Sequence, residues 1–220
     1  GFCTHPEFIT IRGGSLQQAR FPAGFACIHH RQLGFMLFDT GYAPRFHHAT
    51  ARFPYSIYAG ITPASIRETD SAARQLLEKG IRPEDVEYII ISHFHADHVA
   101  GLRDFPNARF IYSQQAYDAF RGLSGFRALR CGFIPSLLPD NFIVRSLPIR
   151  ESQLVTLPSG FPFTVGYDLF NDGSMVAIDV SGHAAGQIGI FIKTEHNRVL
   201  LCADAVWSSR AYREHRLPHP

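Results

Sequence analysis

The chain has no Cys-X-X-Cys pair. Its four cysteines, Cys3, Cys27, Cys131 and Cys202, lie far apart in the sequence, which excludes a structural zinc knuckle. Two disulfides could be drawn from them, but 220 residues bury enough core to fold without such staples. They read as free thiols, and the expected compartment is the reducing cytoplasm. An excess of one charge is also lacking. Lys and Arg number 21 against 19 Asp and Glu, a formal net charge of +2. With no dense Lys/Arg stripe, neither nucleic acid nor an anionic membrane is expected as a partner. No apolar run is long enough to span a bilayer, and no signal-peptide pattern stands at the start. A G-x-S-x-G elbow is absent, so no serine nucleophile of that type is expected. Internal repeats and low-complexity tracts are absent too. The first residue is Gly1 rather than Met, and the expectation is a trimmed start.

Histidine is plentiful, with 12 in the chain. That number makes some neighbours a matter of chance, and His29-His30 and His47-His48 are read so. The run His93-Phe94-His95-Ala96-Asp97-His98 is different, because it places four metal-ligand side chains within six residues. Imidazole and carboxylate together suit zinc and similar divalent ions. The apolar stretch Val86-Glu87-Tyr88-Ile89-Ile90-Ile91-Ser92 leads into the run. A strand ending in such a loop puts its ligands at the rim of a sheet, where α/β proteins usually hold their sites. Two later segments repeat that placement. Ser181-Gly182-His183 follows the run Met175 to Val180, and Ala203-Asp204 follows the run Val199 to Cys202.

Periodicity and turn residues supply a coarse map. Phe8 to Arg12 alternates and ends at Gly13-Gly14, which predicts a strand and turn. Ala23 to His30 and Leu33 to Phe38 predict a hairpin that ends in Asp39-Thr40-Gly41. Residues 42–63 lack a period and predict a long loop. Thr69 or Asp70 caps a helix that runs to about Lys79 and stops at Gly80. Arg109 to Tyr112 predicts a strand and Ser113 to Phe120 a capped helix, while 122–140 stay unassigned. Further strands are predicted at Phe161 to Val165, Met175 to Val180, Gln187 to Lys193 and Val199 to Ala203, with a helix starting near Ser208. Strands in two groups with helices between favour two sheets packed face to face with helices outside.

His93, His95, Asp97 and His98 form an H-x-H-x-D-H motif, and with Gly182-His183, Asp204 and Asp39-Thr40-Gly41 the chain resembles the metallo-beta-lactamase superfamily over roughly residues 8 to 207. The resemblance implies an α/β fold, an αββα four-layer sandwich of two mixed sheets with helices outside. It implies two divalent metal ions, zinc foremost, with manganese, iron or cobalt as alternatives. The first would be held by His93, His95 and His183. The second would be held by Asp97, His98 and Asp204, with Asp204 bridging both. Among subgroups the chain is most similar to N-acyl-homoserine-lactone lactonase-like proteins. The implied activity is metal-dependent hydrolysis of a carbonyl ester or lactone. A hydroxide shared by the metals attacks the carbonyl, and Asp97 orients it or passes its proton to the leaving alkoxide. Two departures stand out. The family supplies one more His downstream of the bridging Asp, whereas here only His215 and His219 follow, in the wrong setting. The expectation is therefore one domain over 1–220 that lacks a C-terminal strand, helix and ligand. Trp207 also stands where such lactonases often carry Tyr, offering an N–H but no hydroxyl.

Substrate choice must come from the walls. Phe46, Phe53, Tyr55 and Tyr58 in the long loop, with Trp207, are candidates for an apolar channel that takes a small-molecule ester or lactone. The alternative use of the four loop aromatics is to pin that loop to the body, and exposed aromatics near the site could equally make a homodimer contact. Thioester or phosphodiester hydrolysis on the same fold, or a degenerate non-catalytic metal-binding protein, are the alternative functions.

Overall fold

The computed structural model describes residues 1–216. A parallel strand buried on both faces needs an unbroken apolar run, and 86–92 supplies it as β6 (Val86–Ile90). This strand is the centre of a mixed sheet. The order is β3 (Ala26–His30), β4 (Gly34–Phe38), β6, β7 (Arg109–Tyr112) and β8 (Ser146–Pro148). Only β3–β4 is antiparallel; β4, β6, β7 and β8 run parallel. The second sheet is antiparallel throughout, in the order β13 (Arg198–Leu201), β12 (Ile188–Lys193), β11 (Met175–Asp179), β10 (Val165–Asp168) and β9 (Leu154–Thr156). A third sheet, which the sequence did not suggest, sets β1 (Phe2–Pro6) between β2 (Gln18–Pro22) and β5 (Ala64–Ser65).

Alternation along the strands divides the core in two. Met36, Phe38, Ile90 and Ile111 of the mixed sheet meet Met175, Ala177, Ile188 and Ile190 of the antiparallel sheet, and this layer joins the two sheets face to face. Leu37, Ile89, Phe110 and Tyr112 point the other way, under the helices. These are α2 (Arg45–Ala49), α3 (Tyr55–Ile61), α4 (Ala72–Glu78), α5 (Ala96–Val99), α6 (Gln114–Phe120) and α7 (Gly125–Arg130). Val86, Ile89, Ile90 and Ile91 are fully buried. At about 1.5–3 kcal/mol for each such side chain, they pin the strand end that launches the histidine loop.

Several elements differ from expectation, each for a local reason. Phe8 to Arg12 is not a strand. The backbone coils as α1 (Glu7–Thr10), because Ile11 N–H and the Thr10 hydroxyl both donate to Glu7 O. Residues 42–63 hold α2 and α3, each opened by a proline, Pro44 and Pro54, whose fixed φ suits a helix start. Both are too short for a period to show. The cap of α4 is Ser71, whose hydroxyl accepts from Arg74 N–H, rather than Thr69 or Asp70. The strand expected from Phe161 begins only at Val165, since Pro158 and Pro162 bend the chain into a turn first. Its Phe161 and Phe163 pack instead on Phe191 of β12. Cys3 is a buried free thiol, and Cys27, Cys131 and Cys202 are free as well.

Candidate metal centre

Beyond β6 the chain stays extended long enough to sort its side chains to opposite sides. Phe94 enters an aromatic cluster with Tyr112, Tyr117, Phe120 and Phe142. His93 and His95 face each other instead, with ring centroids 4.5 Å apart. His95 then caps the start of α5, where the N–H groups of His98 and Val99 donate to its carbonyl. That first helical turn carries Asp97 and His98 inward. His183 arrives from the loop after β11, and Asp204 from the turn after β13. Ala203, before Asp204, is held at φ 47. A left-handed residue with a Cβ costs about 1–2 kcal/mol, and this turn is what carries the chain from β13 to Asp204. The backbone also ties the two sheets here, through Ile188 N–H donating to Ser92 O at 3.0 Å.

Two groups of side chains converge to within 4.8 Å: His93 with His95 and His183, and His93 with His98 and Asp204. His183 Nε2 lies 2.9 Å from His95 Nδ1 and 3.4 Å from Asp204 Oδ2. His98 Nε2 lies 3.3 Å from Asp204 Oδ1 and 3.6 Å from Asp97 Oδ2. Five of the six residues named from the sequence are thus in one or the other group, and Asp97 stands beside His98 at their edge. Of the tail histidines, His215 lines a hollow with Trp207, Tyr212 and Arg216 that Asp204 also lines. His219 lies outside the described residues.

The hydrogen bonds decide which ring nitrogens are free. His98 Nδ1 donates to Asp39 Oδ2 at 2.8 Å. Ser92 donates its hydroxyl to the same oxygen at 2.7 Å, and its Oγ stands 3.0 Å from His93 Nδ1, placed to accept from it. Ser92 N–H donates to Asp39 Oδ1. With both Nδ1 atoms engaged, His93 Nε2 and His98 Nε2 remain, buried and without a hydrogen-bond partner. An orphaned buried imidazole nitrogen is costly unless something binds it. Carboxylate-backed histidines with the opposite nitrogen free are the usual dress of a metal ligand. The donor set fits a zinc-like divalent ion.

Thr40 completes the brace. Its N–H and hydroxyl both donate to His98 O, at 2.9 and 2.8 Å, and its Oγ1 accepts from Gly101 N–H at 3.0 Å. Asp39-Thr40-Gly41 therefore acts by orienting the first turn of α5. Ser92 and Gly132 were not singled out from the sequence. Gly132 sits at φ 64 with its carbonyl accepting from Ala96 N–H, and a Cβ there would lie 2.8 Å from His95 Cδ2. No local pattern announces a glycine that touches a ring 37 positions away.

Burial sets the protonation states. It pushes the His93 imidazolium well below the ordinary range, with His98 and His95 adding to the effect. Burial, then His183, brings His95 down to about 3, and burial lowers His183 as well. These rings are neutral near pH 7, the form that binds a metal. Burial also disfavours the charged form of His98, but Asp97, Asp39 and Asp204 outweigh it and raise the group well above its usual value. Burial raises Asp97 to about 6 against the pull of His98. Asp204 is pushed up by burial but ends below its usual value, because His98, His183 and His95 surround it.

Besides the hollow at His215, which meets the cluster only at Asp204, two hollows open on it. One, of about 380 Å³, is walled by Phe21, Phe25, Phe38 and Leu201 and reaches Asp97, His98 and Asp204. The other, of about 440 Å³, is walled by Tyr58, Phe120, Cys131 and Ala184 and reaches His95, Asp97, His183 and Asp204. Trp207 lines both and packs edge-on against His183 at 5.3 Å. Tyr58 and Trp207 are thus at the site. The other wall candidates are elsewhere and are corrected here. Phe46 is 1% exposed, locked in the core against Tyr42 and Tyr58. Tyr55 accepts the N–H of Gly125 at its hydroxyl, and Phe53 is turned outward against Phe126. The physical reason is the folding of the presumed loop into α2 and α3, which carry Phe46 into the core and Tyr55 to Gly125, while Phe53 is left exposed on the stretch between the two helices.

The sequence profile of the metallo-beta-lactamase superfamily matches residues 34–220. Among curated relatives, the N-acyl homoserine lactonase AttM of Azorhizobium caulinodans is 25% identical over 217 residues, covering 96% of this chain and 74% of the relative. The N-acyl homoserine lactonase of Bacillus cereus is 34% identical over 182 residues, covering 82% and 63%. The probable metallo-hydrolase Rv2300c of Mycobacterium tuberculosis is 27% identical over 180 residues, covering 79% and 54%. The chain thus spans between half and three quarters of the length of these relatives. A solved N-acyl homoserine lactone hydrolase with N-hexanoyl-L-homoserine at its catalytic metal centre superposes with a TM-score of 0.68 at 20% identity, covering 98% of this chain and 76% of that one. The dizinc lactonase AidC gives 0.58 at 16% identity, covering 91% and 67%. With the motif histidines gathered at one sheet rim and a profile match across most of its length, this chain belongs to the metallo-beta-lactamase superfamily.

Proposed function

We propose that the protein is a metal-dependent hydrolase of carboxylic esters or lactones, with His93, His95 and His183 holding one divalent ion and His98, Asp204 and Asp97 a second. The observation that carries this reading is the pair of buried, partnerless nitrogens, His93 Nε2 and His98 Nε2. Both are aligned by Ser92 and Asp39 and gathered with His95, His183 and Asp204. Bound divalent ions supply an activated water near neutral pH and stabilise the oxyanion of an attacked carbonyl. Asp97 lines both hollows, where its carboxyl can take a proton and return it to the leaving alkoxide. The aromatic and aliphatic walls suit an acyl group. They favour a carbonyl ester over a phosphodiester, whose extra negative charge asks for several cationic side chains. The lactonase names of AttM and the Bacillus cereus relative support a lactone as the first substrate to try. Free thiols at all four cysteines accord with a reducing compartment.

The test joins elemental analysis of protein purified without chelator to hydrolysis of an N-acyl homoserine lactone and a simple aryl ester, with His93→Ala alongside. About two ions per chain and turnover of either substrate, both lost in the variant, are expected. A chain that binds no metal, or one that is loaded and hydrolyses neither substrate, sinks the proposal.

A further inference from the structure

Among the described residues, Arg130 is the one Lys or Arg in the wall of the two hollows that reach several members of the histidine–aspartate cluster; Arg216 lines the hollow that meets the cluster at Asp204 alone, and it is paired with Glu214. Arg130 is exposed, at the end of α7. No carboxylate of the described residues pairs with it, whereas Arg121 and Arg103 nearby in sequence are held by Asp118 and Asp140. Its position is not loose. Two residues later Gly132 presses its backbone on the His95 ring and accepts the Ala96 N–H. Phe133 N–H returns to Ala128 O and closes the end of the helix. The arginine is therefore carried on the same stretch of chain that touches a proposed ligand; apart from Asp97 and Asp204 of the cluster itself, the wall it shares has no carboxylate, being Tyr58, Thr62, Phe120, Cys131 and Trp207, with His5.

From this placement we infer that Arg130 is a specificity-determining residue, binding a carboxylate on the part of the substrate away from the scissile bond. The inference rests on the hydrolase reading and names its substrate class: esters or lactones that carry an acid group within reach of the metal-facing carbonyl. A guanidinium with no internal partner at the mouth of a mostly apolar cavity offers a planar, two-pronged donor that matches a carboxylate. A neutral acyl chain gains nothing from it.

The experiment uses the full, metal-loaded chain and calorimetric titration with succinate, glutarate and adipate against butyrate, valerate and hexanoate. One carboxylate can go to the metal in every case; only the diacids have a second group for Arg130. At least one diacid is expected to bind about tenfold or more tightly than its monoacid. Arg130→Gln should bring that ratio to about one, and Arg130→Lys should keep part of it. Arg127→Gln, on the same helix but outside the wall, should leave the ratio intact. No diacid preference in the wild type, or one that survives Arg130→Gln, overturns the inference. Kinetics separate the two proposals. Arg130→Gln should raise KM for an ester bearing a terminal carboxylate much more than for its neutral methyl analogue. Equal losses on both count against the inference while leaving the hydrolase reading intact. If neither ester is hydrolysed the hydrolase reading fails, and the diacid ratio still decides the role of Arg130.

Discussion

The molecule carries histidines at opposite ends of the same mixed sheet, and the hydrogen bonds of His30 at one end differ in kind from those of His93 and His98 at the other. At the hairpin end, His30 Nδ1 accepts from the N–H groups of Gln32 and Leu33, so Nε2 carries the proton and is shared by Asp172 and Ser174, each at 3.2 Å. Both nitrogens are used, and the ring latches the β3–β4 turn to the β10–β11 turn. Its neighbour Arg31 does the same with Glu195 of the β12–β13 turn. At the rim, His93 and His98 each turn Nδ1 to a brace and bury Nε2 without a hydrogen bond, that of His98 facing Asp204 Oδ1 at 3.3 Å. A satisfied histidine is a fastener. An oriented, buried nitrogen without a hydrogen bond is the form that suits a metal ligand, the role proposed for this pair.

The largest expected effect falls on the unsatisfied end. His93 belongs to both convergent groups, so His93→Ala should cut metal affinity by about a hundredfold or more. His30→Ala should leave metal content unchanged; equal metal loss in the two, by elemental analysis, would erase the distinction. Asp39→Asn keeps the shape but places an amide against His98 Nδ1. A drop of about 10–100-fold in metal affinity is expected, measured by chelator competition. Gly132→Ala forces a methyl to within 2.8 Å of the His95 ring at a left-handed φ. About a tenfold weaker metal is expected, together with a lower melting temperature in the metal-free form.

The smaller effects concern stability. His30→Ala removes hydrogen bonds between two turns and should cost about 1–2 kcal/mol in chemical denaturation, with no change in metal binding. For the metal-free protein a pH test follows from His95, lowered from 6.5 to about 3 by burial and by His183. A lowered histidine binds fewer protons folded than unfolded. Its share of stability is present above pH 6.5 and is lost as pH falls toward 3. His95→Gln removes that share, so the fall in melting temperature between neutral pH and about pH 5 should be smaller in the variant than in the wild type. An equal or steeper fall in the variant contradicts the assignment of His95 as a buried neutral ring.

The candidate ligands were legible because metal chemistry needs particular side chains at a strand end, and both show in sequence as His93, His95, Asp97 and His98 after an apolar run. His183 and Asp204 gained meaning from the same placement. The aromatic wall was read less well. Phe46, Phe53 and Tyr55 looked free because α2 and α3 are shorter than the window in which a helical period can be seen. Gly132 and Ser92 escaped notice because their contacts with His95 and Asp39 join segments distant in sequence, and Arg130 because its place in a cavity wall shows only in the fold.

Sequence by itself determined the candidate metal ligands and most of the strands they follow, since ligand type and hydrophobic runs are local properties of the chain. Tertiary structure alone decided which histidines use both ring nitrogens and which bury one without a hydrogen bond. It also decided which aromatics face the hollow and which arginine stands unpaired at its mouth. Those outcomes turn on hydrogen bonds and burial between segments far apart in sequence: Asp39 with His98, Gly132 with His95, Asp172 with His30. No pattern along the chain encodes such contacts, because they exist only after the sheets have packed.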